Sequence, residues 1–254
     1  MNYLFITAYI LFMITFFPLQ SCGDKTPGSM NKPIVYEVIS FEDKLDIDAN
    51  WLKAEWVGKE ALTICNYMGE VPEFNHKVLA KMMYSTTNKC LYLIFRVEDK
   101  YILCRTDTIN GPVWHDSCVE FFFSPDVDAP LQYFNLEMNC AGIPLMKFNR
   151  KPREDATNLD PADIRQVEIA TTRPVTGHEE VTGPVTWTLE CRIPLNILRK
   201  YSSVTDPEPG VTWRANFYKI AAQSSHPHYI TWSPVNRPKP DFHVPEDFGV
   251  LLFK

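Results

Sequence analysis

The body of the chain alternates between apolar and polar residues with a period of two. The run 89–98 is the clearest, and its apolar positions are Leu91, Leu93, Phe95 and Val97. Runs of the same kind cover 119–123, 134–140, 186–193 and 213–218. Strands with one buried face produce this alternation, and turn-forming Pro, Gly, Asn and Asp residues separate the runs. The pattern predicts an all-β fold, an antiparallel β-sandwich, with one or two short helices at 50–56 and 194–201.

The N-terminus has a different composition. Residues 3–19 carry no charge and consist mainly of apolar residues, and the polar run Gly23-Asp24-Lys25 follows shortly after. A short apolar stretch that ends in small residues is typical of a signal peptide. The sequence Leu19-Gln20-Ser21-Cys22 resembles a bacterial lipobox, whose cysteine carries the lipid. We therefore predict a lipoprotein signal peptide over 1–22, lipidation of Cys22, a flexible tether over 23–33 and one sandwich domain over 34–254.

An uncleaved membrane anchor or a plain secretory signal would also fit an apolar stretch of this length. Each of these alternatives predicts export. The lipobox further predicts attachment to a bacterial membrane, at the outer membrane or the cell surface, with the N-terminal lipid as the only contact with the bilayer.

Charge and cysteine content narrow the class of protein. The formal net charge is −6, and the sequence has no long cluster of Lys and Arg. Because neutralisation of phosphates supplies most of the affinity for nucleic acid, this balance argues against a nucleic-acid partner. The cysteines other than Cys22 lie mostly within apolar strand runs, and their spacing is not that of a metal site. We expect mainly buried thiols, while one or two disulfides remain open in an oxidising compartment.

Polar side chains of a particular kind share one predicted sheet face. Three strands contribute them: Glu120, Asn135, Glu137, Asn139, Arg214, Asn216 and Tyr218. Amides, carboxylates and a guanidinium match sugar hydroxyls, because each hydroxyl both donates and accepts a hydrogen bond. Trp114, just before that face, and Trp232, at a strand end, could each stack on the apolar face of a pyranose ring. The alternatives are a solvated or internally hydrogen-bonded face and tryptophans that pack in the core.

Several segments resemble the family 9 carbohydrate-binding modules, and in particular the family 9-like proteins of Bacteroidetes. In chain order these segments are 91–99, 114–125 (WHDSCVEFFFSP, similar to the central motif of the family), 133–142, 213–218, 231–234 and 242–249. The similarity extends over about 35–254. It implies a jelly-roll-like β-sandwich that binds carbohydrate and is not an enzyme.

The resemblance also implies roles for individual residues. By motif position, Trp114 and Trp232 would hold a terminal sugar between them, and Glu120 would bond its hydroxyls. Members of the family hold structural calcium, to which Asp126 and Asp128 could contribute oxygen ligands. The implied function is capture of an oligo- or polysaccharide, such as xylan or another plant or host glycan, for catabolism. Glycan-degrading enzymes or transporters would then be the protein partners.

Three other functions remain open from the residues alone. Glu120 and Glu137 could form a glycoside hydrolase pair, because neighbouring strands can bring two carboxyl groups to the separation of about 5–5.5 Å that a retaining enzyme needs. A haem-binding sandwich would use Met and His ligands, for which Met82, Met83 and Met138 are available. A structural surface lipoprotein would have no glycan ligand.

Overall fold

The computed structural model of the chain describes residues 33–173 and 177–254. The predictions for the signal peptide, for Cys22 and for nearly all of the tether therefore lie outside the described residues. Among the residues that are described, no helix is both long and apolar enough to cross a membrane.

The described residues contain strands at all five of the period-two runs and at nine further places. They form fourteen strands: β1 (Val35–Phe41), β2 (Leu62–Ile64), β3 (Asn66–Tyr67), β4 (Lys77–Ser85), β5 (Cys90–Cys104), β6 (Cys118–Ser124), β7 (Tyr133–Asn139), β8 (Pro144–Lys151), β9 (Asp155–Asn158), β10 (Glu168–Thr171), β11 (Gly177–Pro194), β12 (Thr212–Ile220), β13 (Tyr229–Thr231) and β14 (Gly249–Phe253). They also form two short α-helices, α1 (Pro161–Ile164) and α2 (Leu195–Leu198), and two single 3₁₀ turns, Val113–His115 and Pro245–Asp247.

The strands follow one another in the order β10-β11-β5-β4-β1-β14-β12-β6-β7-β8-β9, and β1 is the point at which the sheet folds over. Residues 35–38 of β1 pair with β14, whereas residues 39–41 pair with β4, and both pairings are parallel. One layer, the β5 sheet, contains β2, β4, β5, β10 and β11. The other layer, the β6 sheet, contains β3, β6–β9 and β12–β14. The parallel pairings of β1 are an exception to the predicted antiparallel arrangement.

The apolar core lies between these two layers. Phe95 of the β5 sheet packs against Phe217 of the β6 sheet, with ring centroids 6.2 Å apart, and Phe217 in turn contacts Phe121 at 4.8 Å. Trp187 and Trp213 are also fully buried there. The predicted β-sandwich is thus confirmed. Five buried cysteines of the described part have free thiols: Cys90, Cys104, Cys118, Cys140 and Cys191.

One of the two predicted helices does not form. Residues 195–198 are helical as expected, but residues 51–58 form turns. Side-chain oxygens hold the backbone around this segment in a non-helical path, since Glu190 Oε2 accepts the N–H of Asp48 and of Ala49, and Asn50 Oδ1 accepts that of Leu52. Local side-chain bonds of this kind compete with helix formation.

Loops cover parts of the outer faces of both sheets. Tyr92 and Ile94 of β5, which the alternation places on the outer face, are buried against Leu45 and Trp56. On the β6 sheet, Phe122 and Tyr218 are buried under Phe242 and Phe248. The second covering layer is incomplete, and the space it leaves open is the candidate site.

Candidate ligand-binding cleft

A cleft of about 500 Å³ lies on the outer face of the β6 sheet. Its floor comes from β6, β7, β8 and β12, and its walls come from the 3₁₀ turn at 113–115, the turn between β8 and β9, and the segment 240–243. The residues that line it are Trp114, His115, Glu120, Phe122, Glu137, Lys147, Arg153, Ile220, Ala222, Gln223, Tyr229, Pro240, Asp241, Phe242 and His243. This volume falls within the range of small-molecule sites, about 300–1,000 Å³.

Two carboxyl groups lie side by side on the floor. Glu120 and Glu137 are directly opposite each other in the antiparallel pairing of β6 with β7, and opposite residues of such a pair have Cβ atoms about 4.5–5.5 Å apart. Both side chains are almost fully buried. Burial, and then the neighbouring Glu137, raise the pKa of Glu120 well above its usual range. Burial raises the pKa of Glu137 to about 7, although a hydrogen bond from Asn135 opposes the change. Near neutral pH the pair therefore retains a proton.

A chain of amide side chains fixes one end of this pair. Asn149 Nδ2 donates to Asn135 Oδ1 at 2.7 Å, and Asn135 Nδ2 donates to Glu137 Oε1 at 2.7 Å. Asn135 is fully buried, so it orients Glu137 from behind the cleft surface. The second oxygen of Glu137, Oε2, is buried without a hydrogen-bond partner. Buried polar atoms are rarely left unpaired, so this oxygen lacks a partner that most buried carboxyl oxygens have.

Trp114 forms part of one wall. The 3₁₀ turn Val113–His115 carries it, and the carbonyls of Trp114 and His115 accept the N–H groups of Ala222 and Gln223, which ties this turn to the segment after β12. The indole ring remains partly exposed. Tyr229 and Phe242 add further aromatic surface to the cleft. A fixed, partly exposed indole beside polar groups is suited to stacking on the apolar face of a sugar ring.

Charged and titratable groups surround the cleft mouth. Arg153, in the turn between β8 and β9, forms an ion pair with Asp241 at 2.5 Å. Asp241 also accepts the backbone N–H of His243, which orders this wall. His243 Nδ1 lies 2.6 Å from the hydroxyl of Tyr133. Burial, followed by repulsion from Arg153, lowers the pKa of His243 to about 4, so this imidazole is neutral at neutral pH.

Of the predicted ligand contacts, Trp114, Glu120 and Glu137 line the cleft, and Asn135 supports Glu137. Three others use their polar groups within the protein. Asn139 Nδ2 donates to Asp116 and to the carbonyl of Thr106. Arg214 donates to the carbonyls of Glu246 and Phe248, and Asn216 exchanges hydrogen bonds with the backbone of Ser233. Because these groups are already paired, the structure gives them positioning roles instead of ligand contacts.

The expected second sugar platform, Trp232, does not face the cleft. It is 1% exposed and packs in the inter-sheet core against Phe217, with ring centroids 5.6 Å apart. The prediction of a ligand contact is therefore wrong for Trp232, because its ring is on the opposite side of the β6 sheet from the cleft.

Several cleft residues do not follow from the sequence pattern. Phe122 has the outward parity of Glu120 on β6, but its neighbours Phe121 and Phe123 suggest a purely apolar run. Lys147 is directly opposite Asn135 in the pairing of β7 with β8, so the polar face could have been extended to it. Arg153, Asp241 and the other wall residues come from loops, which carry no register information.

The two aspartates predicted as calcium ligands lie in the turn between β6 and β7. Asp126 Oδ1 accepts the backbone N–H of Asp128, which stabilises that turn. Within the described ranges, these two residues do not gather a third carboxylate, Cys or His ligand around one point. A calcium ion there would need backbone carbonyls or water, and the site stays a prediction. The methionines considered as haem ligands, Met82, Met83 and Met138, are packed in the apolar clusters.

A second polar cluster lies inside the sandwich. Ligand atoms of His76, Asp99 and His228 come within 4.8 Å of one another, as in a metal site. However, the Lys219 ammonium lies 2.6 Å from His228 Nε2 and 3.3 Å from Asp99 Oδ2. It thus supplies the positive charge that a metal ion would bring, and all four residues are buried.

Comparison with known proteins agrees with this architecture. Residues 48–253 match the model of carbohydrate-binding family 9. A protein from Bacteroides uniformis ATCC 8492, provisionally named a carbohydrate-binding protein, is 25% identical, with a TM-score of 0.77, and the match covers 88% of this chain and 100% of that chain. No protein with a curated description matches.

Two structures of a family 9 module from Caldicellulosiruptor kristjanssonii share the fold. The complex with glucose is 17% identical, with a TM-score of 0.56, and the match covers 86% of this chain and 96% of that chain. The complex with cellotriose is 16% identical, with a TM-score of 0.54, covering 86% and 94% respectively. The family match over residues 48–253 shows that the chain belongs to carbohydrate-binding family 9.

Proposed function

We propose that the chain binds a carbohydrate in the cleft and does not transform it. The observation that carries this proposal is the combination of a partly exposed Trp114 with two buried carboxyl groups, one of which has an oxygen without a partner. The indole would stack on the ring of the sugar, and Glu120 and Glu137 would accept hydrogen bonds from its substituents.

Isothermal calorimetry with mono- and oligosaccharides tests the proposal directly. Trp114→Ala should abolish measurable binding. Trp51→Ala is the matched control, because Trp51 is also partly exposed but packs on the outer face of the other sheet. It should bind like the wild type. If Trp114→Ala binds every sugar as the wild type does, or if no sugar binds at all, the cleft is not a carbohydrate site.

A glycoside hydrolase is the second candidate, since Glu120 and Glu137 are cross-strand neighbours with raised pKa values. A hydrolase needs its carboxyl groups on the two sides of the scissile bond, whereas these two lie together on the floor. Assays of the wild type and Glu120→Gln on aryl glycosides and xylo-oligosaccharides distinguish the two functions. Turnover by the wild type that is lost in the variant would replace binding with hydrolysis.

The sequence supports a cellular setting for this activity. We propose that the chain is exported, cleaved before Cys22 and anchored by a lipid in a bacterial envelope. There it would capture polysaccharide, xylan or another plant or host glycan, for catabolism by partner enzymes or transporters. Incorporation of labelled palmitate into the wild type, but not into Cys22→Ala, is the expected result. Unlabelled wild-type protein in the envelope fraction would contradict the lipid anchor.

A further inference from the structure

The carboxyl pair on the cleft floor has no cationic partner of its own. Neither Glu120 nor Glu137 takes part in an ion pair with any residue that the structure describes. Where this chain buries a carboxylate for structural reasons, it provides partners. Glu190 accepts from the indole of Trp56 and pairs with Lys53, and Asp99 pairs with Lys219. The floor of the cleft is an exception to that pattern.

The balance of charge in the cleft points in the same direction. Apart from the imidazoles of His115 and His243, the groups that can carry a full charge are the carboxyl groups of Glu120, Glu137 and Asp241 and the cations Lys147 and Arg153. Asp241 and Arg153 neutralise each other, which leaves two carboxyl groups facing one lysine at the cleft mouth. When both glutamates are ionised, the cleft has one negative charge in excess. A ligand with a single positive charge would neutralise it.

We propose that the cleft selects a sugar that carries a protonated primary amine, whose ammonium group lies between Glu120 and Glu137. This inference rests on the proposed function and specifies its ligand class. An ammonium group has three donors and a positive charge, which match two adjacent carboxyl groups, one of which has an oxygen without a partner. A hydroxyl brings no positive charge, so with a neutral sugar the pair would keep its proton.

A metal ion would satisfy the same charge balance less well. Calcium requires six or more oxygen ligands, and Glu137 Oε1 is already bonded to the Asn135 amide. The amide NH₂ group occupies that oxygen, which leaves too few carboxyl oxygens for the coordination shell of a calcium ion. The aromatic surfaces of Trp114 and Tyr229 on the walls also favour an organic ligand with an apolar face.

Calorimetry near pH 7 with matched pairs of sugars tests the inference. The pairs are D-glucosamine with D-glucose, D-galactosamine with D-galactose, and D-mannosamine with D-mannose. At least one amino sugar should bind about 10-fold more tightly than its neutral parent, as expected for hydrogen bonds to charged groups in a desolvated site. If neutral sugars bind and no amino sugar binds more tightly, the selectivity is overturned while carbohydrate binding stands. If no sugar binds, the proposed function itself fails.

Glu137→Gln provides the site-specific test, because it keeps the shape and removes the charge. The ratio of amino-sugar to neutral-sugar affinity should fall to about 1 in this variant. Glu98→Gln is the matched control, since Glu98 is a partly exposed residue of the β5 sheet and its loss changes the net charge equally. It should keep the wild-type ratio. An unchanged ratio in Glu137→Gln, in a protein whose circular dichroism is native, would contradict the inference.

Proton release gives an independent readout. The ammonium should displace the proton that the pair shares, so amino-sugar binding should release up to one proton, whereas neutral-sugar binding should release none. Titrations in two buffers of different ionisation enthalpy measure this number. The other titratable or charged groups that face the pair or line the cleft are Cys118, His115, Lys147, Arg153, Lys219, Asp241 and His243. Equal proton release for both sugars, unchanged in Glu137→Gln, would assign the effect to these groups and overturn the proposal.

Discussion

Lys219→Met should destabilise the protein strongly, because it removes the only ammonium from the buried cluster within the described part of the chain. Lys219 and Asp99 are both 0% exposed, and Lys219 Nζ lies 3.3 Å from Asp99 Oδ2. Burial alone would raise the pKa of Asp99, but Lys219 and His76 hold it well below its usual range. Asp99 is therefore ionised in the folded protein, and methionine would leave its charge uncompensated.

The expected magnitude follows from this burial. Breaking a buried ion pair by removing one partner costs about 3–5 kcal/mol, whereas an exposed pair contributes about 0–1 kcal/mol. The two neighbouring imidazoles do not replace the ammonium at neutral pH. Burial, with repulsion from Lys219, lowers the pKa of both His76 and His228, so both are neutral there. The remaining bonds to Asp99 Oδ1 come from the N–H groups of Lys100 and Tyr101.

Urea denaturation followed by tryptophan fluorescence measures the effect. The matched control is Lys254→Met, since Lys254 pairs with Glu37 at 3.0 Å but both side chains are about half exposed. It should change the free energy of unfolding by less than about 1 kcal/mol. A double-mutant cycle combines Lys219→Met with Asp99→Asn. The two substitutions should show a coupling free energy of at least about 2 kcal/mol, because the double variant leaves no unpaired charge. A Lys219→Met cost below about 1 kcal/mol, or additive single effects, would refute the reasoning.

The same variant has a defined pH dependence. In the wild type the lowered pKa of Asp99 contributes stability above about pH 4, and this contribution is lost as the pH falls through the folded-state pKa. In Lys219→Met the histidines no longer experience the ammonium, so one of them can take up a proton beside Asp99 as the pH falls below about 6.5. The stability deficit should therefore be largest near pH 7 and should shrink toward pH 5. A deficit that grows on acidification would contradict this assignment of charges.

Three further predictions concern residues near the site. Gly249→Ala should lower the free energy of unfolding by about 1–3 kcal/mol in chemical denaturation, because its Cβ would lie 2.5 Å from the indole of Trp232. Trp232→Phe should lower stability in the same assay but leave sugar affinity in calorimetry within about 2-fold, since this core ring does not reach the cleft. Asn139→Ala should cost about 1–3 kcal/mol, because it leaves the buried Asp116 carboxylate and the Ile143 N–H without their amide partner. A loss of sugar affinity in Trp232→Phe would contradict the second prediction, and unchanged stability in Asn139→Ala would contradict the third.

The alternation of residues predicts the inner face of the sandwich well but not its outer faces. Phe95 and Phe121 meet their partners in the core as their parity requires. A period of two predicts only that alternate residues of a strand face opposite sides of the sheet. Whether the second set meets water depends on distant segments, such as the loop that covers Tyr92. The alternation also does not predict the parallel pairing of β1, because this pairing joins β1 to the distant strand β14.

The candidate site shows the same division. The sequence identifies the residue types of the polar face, and the cross-strand pairing of Glu120 with Glu137 follows from the predicted strands. The sequence does not identify the hydrogen-bond partners of these polar groups. Asn216 and Asn135 have the same residue type and the same outward parity. One bonds the backbone of Ser233, and the other holds a carboxyl group of the cleft.

The buried cluster around Asp99 and the buried pair of Glu120 and Glu137 therefore differ in whether the protein compensates their charge. Asp99 has a cation and backbone donors around it, so its charge is compensated within the protein, although its Oδ2 atom accepts no hydrogen bond there. Glu120 and Glu137 are desolvated side by side, and the unfolded chain would relieve both the burial and the repulsion. An arrangement that lowers folding stability without internal compensation is expected at binding sites, where the ligand supplies the missing partner. Glu137→Gln should consequently stabilise the unliganded protein while it removes the selectivity, and a destabilised variant would assign the pair to structure instead of function.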